Sequence, residues 1–351
     1  MKVLVTGNRG YVGTVLTPLL AGHGHDVYGL DSDLFAACTF GGSLPITPTQ
    51  VKDVRDTDIE DFEGFDAVVH LAGLSNDPLG DYRPELTDEI NHIASVRVAT
   101  LAKRAGVRRF IFASSCSNYG AAGDDFLTED AAFNPVTPYG ASKVAVERDV
   151  SLLADDDFCP VYLRGSTAYG VSPRIRFDLV LNNLVAWAYT TGRIYLKSDG
   201  SPWRPLVHVE DFARAYVAAL EAPVETVFNE AFNVGSTSEN YRVRELAEIV
   251  ADTVPGCRLD FAPDAGPDKR NYRVDCNKIC SELHGFKPQW TARRGAKQLY
   301  ETYERAGLTA EEFEGPRFNR IAHVREQIAT GTLTERLFHA APAADPGHAT
   351  A

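Results

Sequence analysis

The chain has 351 residues, 44% of them hydrophobic and 24% charged, with a formal net charge of -13. That is the balance of a globular enzyme with room for one large domain or two unequal ones. The acidity excludes a sequence-independent nucleic-acid surface, which needs a basic patch, but not a small anion held by a few local arginines. No stretch approaches the roughly 20 apolar residues of a membrane span, and the opening MKVLVTGNRG is too short an apolar run for a secretory signal. Of the six cysteines only Cys276 and Cys280 are close, and one C-x-x-x-C without a second ligand pair is a poor zinc signal. A reducing cytoplasm and no metal are expected.

Lys2 to Thr6 is a short β-branched run, and 11–21 carries Val12, Val15, Leu16, Leu19 and Leu20 at helical spacing. Between them, Thr6-Gly7-Asn8-Arg9-Gly10-Tyr11-Val12-Gly13 places three glycines at a strand-to-helix turn. The first permits a tight turn, the second close approach of backbone to a pyrophosphate, and the third packing of helix on sheet. The helix N-terminus then faces the anion. The next strand, 26–30, runs into Asp31. A carboxylate there accepts from ribose hydroxyls and repels a 2′-phosphate, so NAD is expected over NADP, although Arg9 is a cation nearby.

A Gly/Pro/Thr-rich loop covers 32–49. AVVHL (67–71) is the continuous apolar run of a strand buried on both faces, followed by one long helix over 84–105. The strand at 109–113 then empties into SSCSNYG (114–120), two hydroxyls and a thiol with no carboxylate. This alternation predicts an α/β fold with a doubly wound parallel sheet.

Tyr-Gly occurs at Tyr28, Tyr119, Tyr139 and Tyr169, but only Tyr139 has a lysine four residues on, Lys143. Thr137 and Pro138 are good first residues of a helix, which puts Tyr139 and Lys143 on one face. A phenol titrates near 10, and bringing it to about 7 requires roughly 4 kcal/mol, a task for nearby cations such as an ammonium and a nicotinamide ring. Further helices are expected at 177–191, 210–221 and 243–251. The small-residue, Pro-rich end AAPAADPGHATA is expected to be disordered.

Taken together these motifs resemble the extended short-chain dehydrogenase/reductase family, in particular its NAD-dependent nucleotide-sugar epimerases and dehydratases of the UDP-glucose 4-epimerase type. The resemblance spans about 2–290 and includes KDVRD (52–56), VVHLAG (68–73), PWRPLVHVEDFARA (202–215) and DKRNYRVD (268–275). It implies a Rossmann-type NAD-binding domain over 1–170 plus about 205–235. A smaller α/β C-terminal substrate part follows from 171–204 and 236–320, and 321–351 is a tail. The cofactor would lie on Gly7, Asn8, Arg9, Gly10, Tyr11, Val12, Gly13 and Asp31. Asp53 and Val54 would border the adenine, and Leu71, Ala72 and Gly73 would pass under the pyrophosphate and nicotinamide ribose.

By the same resemblance Ser115 hydrogen-bonds the substrate hydroxyl, Tyr139 is the base, and Lys143 binds ribose and tunes it. Arg204 and Arg270 would hold a nucleotide diphosphate, with Ser75, Thr167, Asn182 and Asn183 around the substrate. A homodimer through 84–105 and 138–154 is implied as well. Two departures touch the substrate: Thr167 replaces the family's asparagine, and Pro205 follows Arg204 where an aspartate is usual. The family's 4,6-dehydratases carry Asp-Glu after the serine, because elimination needs an acid and a base. Cys116 and Ser117 stand here, so the expected reaction is 4-epimerisation through a 4-keto intermediate. A tuned thiol at Cys116 keeps elimination, or epimerisation beside the ketone, as an alternative. A net sugar oxidoreductase also stays open, whereas a non-enzymatic dinucleotide binder fits poorly with Ser115, Tyr139 and Lys143 all present.

Overall fold

The computed structural model describes residues 1–75, 77–266 and 271–340. The central sheet is formed by β1 (Lys2–Thr6), β2 (Asp26–Asp31), β3 (Thr49–Val51), β4 (Ala67–His70), β5 (Arg109–Ser115), β6 (Cys159–Gly165) and β7 (Ala231–Val234). All pairings are parallel and the order is β7-β6-β5-β4-β1-β2-β3. Because β1 pairs with β2 on one side and β4 on the other, the winding reverses there and a crevice opens at the carboxyl ends.

Alternating side chains load both faces of this sheet. Val3, Val5, Val69 and Ile111 pack with Leu16 and Leu20 of α1 (Gly13–Gly22). Leu4, Val68, Phe110 and Phe112 face α2 (Ala94–Arg104) through Val98 and Ala102, and α3 (Pro138–Ser151) through Val146 and Val150. A second core gathers Leu181 and Val185 of α4 (Val180–Thr191) with Leu246, Val250, Leu299 and Tyr303. The first core is closed by Tyr216 and Leu220 of α5 (Val209–Glu221). These layers are the Rossmann-type α/β architecture that the alternation predicts. Among the described residues no helix is long and apolar enough to cross a membrane.

The helix expected over 84–105 is interrupted. Pro84–Thr87 is helical, Asp88–Ile93 swells into a π turn, and α2 resumes at Ala94. The swelling serves Asn91, whose Oδ1 accepts from Leu74 N (2.7 Å) while its Nδ2 donates to Leu74 O (2.9 Å). Such turns are often functional, and this one clamps the loop leaving β4. The region read as a tail also has structure: Arg320–Ala329 is a helix, and Leu333 and His339 form a bridge beyond it. Apart from Ala340, the end expected to be disordered lies outside the described residues.

Candidate active site

A cavity of about 1020 Å³ occupies the crevice, large for a single ligand. Its walls come from the strand ends: Gly7 after β1, Asp31 closing β2, Asp53 after β3, Leu71 after β4 and Ser115 closing β5. Gly7 holds φ +75°, and a Cβ there would lie 2.7 Å from Ala72 N. A Cβ at Gly13 would lie 2.4 Å from Gly7 O, so both glycines are dictated by backbone approach. Val12 gives α1 no side-chain cap, and Tyr11, Val12 and Gly13 border the cavity. An anion is the natural partner of such a helix start.

Asp31 accepts from the backbone of Arg9 (2.9 Å) and Asp33 (2.7 Å), and burial pushes its carboxyl above the usual range. The Arg9 guanidinium is turned onto Asp33 at 2.7 Å, which makes it a poor receptor for a 2′-phosphate. Asp53 is held by Arg55 through Nη2 (2.7 Å) and Nε (2.9 Å), beside Val54. The glycine turn, the acid closing β2 and Leu71, Ala72 and Gly73 therefore fit a dinucleotide.

Across from them lies the polar wall. The N-cap of α3 is Thr137, whose Oγ1 accepts from Gly140 N, and Pro138 opens the helix. Tyr139 and Lys143 line the cavity one turn apart. Lys143 is 4% exposed, with Nζ 4.5 Å from the centre of the Phe112 ring and 5.5 Å from that of Tyr139. Burial pulls its ammonium down to about 7, with Glu147 opposing. Ser115 Oγ accepts from Ser117 N (3.1 Å) and Ser117 Oγ (2.8 Å), and all these groups face the same space.

The other three Tyr-Gly tyrosines do not line this cavity. Tyr28 meets Phe65 edge to face, Tyr119 donates to Asn233 Oδ1 (2.8 Å), and Tyr169 is packed against Gly295.

Two expectations, Cys116 and Asn182, are corrected by geometry, and Asn8 can meet a cofactor only through its backbone. Cys116 is fully buried in the core behind β5, its thiol donating to Arg164 O at 3.1 Å, and burial pushes it up to about 12. It opens the short 3-10 turn Cys116–Tyr119 that follows β5, and there its side chain drops onto Arg164 while Ser115 and Ser117 line the cavity. Asn182 is also fully buried, accepting from Gly170 N (2.9 Å) and donating to Arg176 O (3.0 Å), so it shapes a loop and does not reach a ligand. The Asn8 side chain turns to Thr49 Oγ1 (2.9 Å), through the space left by the missing side chain of Gly29. Cys116→Ala is accordingly expected to keep turnover within about twofold of the parent; a tenfold loss in steady-state rate, with folding intact, would return the thiol to the chemistry.

Ser75, Thr167, Asn183 and Arg204 do line the cavity. Ser75 Oγ accepts from Arg176 Nη1 (2.9 Å), Asn183 donates to Phe177 O (2.8 Å), and Arg204 donates to Trp203 O (2.7 Å). Arg270 falls outside the described residues. Sequence reasoning missed Arg176, which lines the cavity paired to Asp178 at 2.6 Å. It also missed the C-terminal Arg320 and Leu337, which line the cavity, and Asn91, which clamps Leu74 of its wall. Only Arg176 had a local signal, as a second arginine shortly after Tyr169-Gly170.

A glycine-built turn at the sheet's reversal, an acid closing β2 and a Tyr-x-x-x-Lys helix facing Ser115 define an extended short-chain dehydrogenase/reductase. Residues 3–235 match the model of the NAD dependent epimerase/dehydratase family. UDP-glucose 4-epimerase of Corynebacterium glutamicum is 30% identical over 317 residues, 84% of this chain and 93% of the relative. The solved structure of MoeE5 with UDP-glucuronic acid and NAD is 28% identical with a TM-score of 0.75, covering 87% of this chain and all of that one. UDP-glucose 4-epimerase of Thermus thermophilus with NAD gives 25% and 0.73, covering 87% and 99%. The chain belongs to the NAD dependent epimerase/dehydratase family, and its cofactor is NAD.

Proposed function

We propose that the protein is an epimerase of a nucleotide diphosphate sugar, acting at carbon 4 through a transient 4-keto sugar, with uridine the base its named relatives share. The observation that carries this reading is the wall formed by Ser115, Tyr139 and Lys143, with no carboxyl at the two positions after the serine. NAD, held on the glycine turn and Asp31, would supply a hydride acceptor for carbon 4 and a hydride donor to the opposite face of the 4-keto sugar. Tyr139 takes the proton of the sugar hydroxyl and gives it back, and Ser115 holds the oxygen while Ser117 fixes the direction of its lone pairs. Lys143 offers positive charge to the phenolate and donors to a ribose.

Asp31 is read as the ribose acceptor, Asp53 and Val54 as the adenine border, and Gly7, Gly10 and Gly13 as the pyrophosphate turn. Arg204, buried at the opposite end, is read as a diphosphate ligand, with Ser75, Thr167 and Asn183 around the sugar. Elimination has little support here, since Cys116 is buried and its thiol held protonated. We read the enzyme as a cytoplasmic homodimer. Ile93 and Leu152, 56% and 82% exposed at the ends of the α2 and α3 layer, support that face as the contact.

Incubating a panel of nucleotide sugars in deuterated water and following mass and stereochemistry tests the reaction. The expected product has unchanged mass and inverted carbon 4. Loss of water, or deuterium at carbon 5, would replace this reading with elimination or epimerisation beside the ketone.

A further inference from the structure

The segment after the last helix reaches back across the whole chain to the far end of the cavity. The Leu333 to His339 bridge closes a tight turn in which Thr334 N donates to Phe338 O (2.8 Å). Contacts to the loops and turns around the sheet fasten it, Arg83 Nη1 donating to Glu335 O (3.1 Å) among them. Arg55 Nη1 donates to Arg336 O (2.8 Å), and the Arg55 guanidinium lies 3.6 Å from the centre of the Phe338 ring. Arg336 Nη2 pairs with Glu89 Oε1 (2.6 Å), and His339 Nε2 meets Ser32 O at 2.7 Å. Arg55 is the same residue that grips Asp53, and Ser32 follows Asp31, so the turn is anchored on both residues flanking the proposed adenosine site.

At its apex Leu337 is 5% exposed with φ +62°, a left-handed conformation that branched side chains seldom adopt. The conformation aims the side chain inward, where it joins Leu30 and Val54 in one apolar cluster and lines the cavity with Asp31 and Asp53. Strained residues of this kind persist where the surroundings over-determine them, ligand clamps among them.

We propose that the turn 333–339 is the closing wall of the adenosine end of the cofactor site, and that Leu337 packs against the adenine and slows loss of the cofactor. The inference rests on the placement of adenosine at Asp31, Asp53 and Val54. A cofactor regenerated in every cycle gains nothing from exchange, so a wall of this sort costs the enzyme no turnover.

The test uses the full chain stripped of cofactor, titrated calorimetrically with ADP-ribose and with nicotinamide mononucleotide. Leu337→Gly removes the side chain and suits the left-handed backbone but gives up the packing on Leu30 and Val54, so affinity is read at a temperature where the variant is shown to be fully folded. ADP-ribose affinity is expected to fall about tenfold or more, the loss of one buried aliphatic contact, with the mononucleotide unaffected. Leu337→Asn, polar but tolerant of φ > 0, carries the same expectation if glycine loosens the turn. Asp31→Ala separates the two failures. If it weakens ADP-ribose while neither Leu337 variant changes it by twofold, the wall is refuted and the adenosine site stands. If none of the three matters, the adenosine placement itself is wrong and the wall falls with it.

Discussion

Tyr139→Phe is expected to lower turnover by about 10²–10⁴-fold, the range for removing a positioned general base. That corresponds to roughly 3–5 kcal/mol of barrier. The substitution keeps the ring beside Lys143 and leaves the glycine turn, Asp31 and Asp53 untouched, so NAD should remain bound at parental stoichiometry. The pairing explains why the loss should be so large. Burial makes the Lys143 ammonium costly, to the point where it titrates near 7, and a phenolate alongside would return a counter-charge to it. The positive charge would in turn stabilise the phenolate. Without the phenol the lysine has no base to stabilise. Steady-state rates with the active nucleotide sugar, alongside the cofactor content of the purified variant, make the measurement. A Phe variant above a tenth of parental activity would remove Tyr139 from the role.

Most of the sheet, the glycine turn, Asp31 and the Tyr139–Lys143 face were legible because each depends on local pattern: period two, helical spacing, a cap and a proline. What escaped is decided by contacts far apart in the chain. Cys116 opens the 3-10 turn after β5, and its burial is set by Arg164, 48 residues later; reading the cluster as one polar patch blurred that distinction. Asn182 and Asn8 carry ordinary polar side chains, and nothing local tells that their partners are Gly170 and Thr49. The π turn is invisible to helical spacing because its cause, the backbone of Leu74, lies 17 residues earlier. Leu337 is the extreme case: its neighbours Val54 and Leu30 are about three hundred positions away, and its own sequence context resembles a tail.

The second large effect lies beneath the catalytic helix. Glu147 stands four residues beyond Lys143 on α3, and its carboxylate meets Arg164 of β6 at Nη2 (2.7 Å) and Nε (3.1 Å). Both side chains are 7% exposed. Ser114 donates to the same carboxylate, as does Asn118 Nδ2 at 3.1 Å, while Arg164 Nη1 reaches Glu129 O (2.7 Å) and Tyr119 Oη (3.0 Å). This network ties the helix carrying Tyr139 to the strand carrying Ser115, so the distance between base and serine depends on it. Glu147→Leu leaves the guanidinium buried and unpaired and is expected to cost about 3–5 kcal/mol, read as a lower urea midpoint at unchanged slope. A loss below about 1 kcal/mol would mean that the pair is dispensable. Glu147→Gln keeps an acceptor but removes the charge that raises Lys143, so the lysine should titrate below its parental value near 7. If the protonated lysine supports turnover, the variant then loses activity at a lower pH than the parent as pH rises. An unshifted limb would show that Glu147 acts on the fold alone.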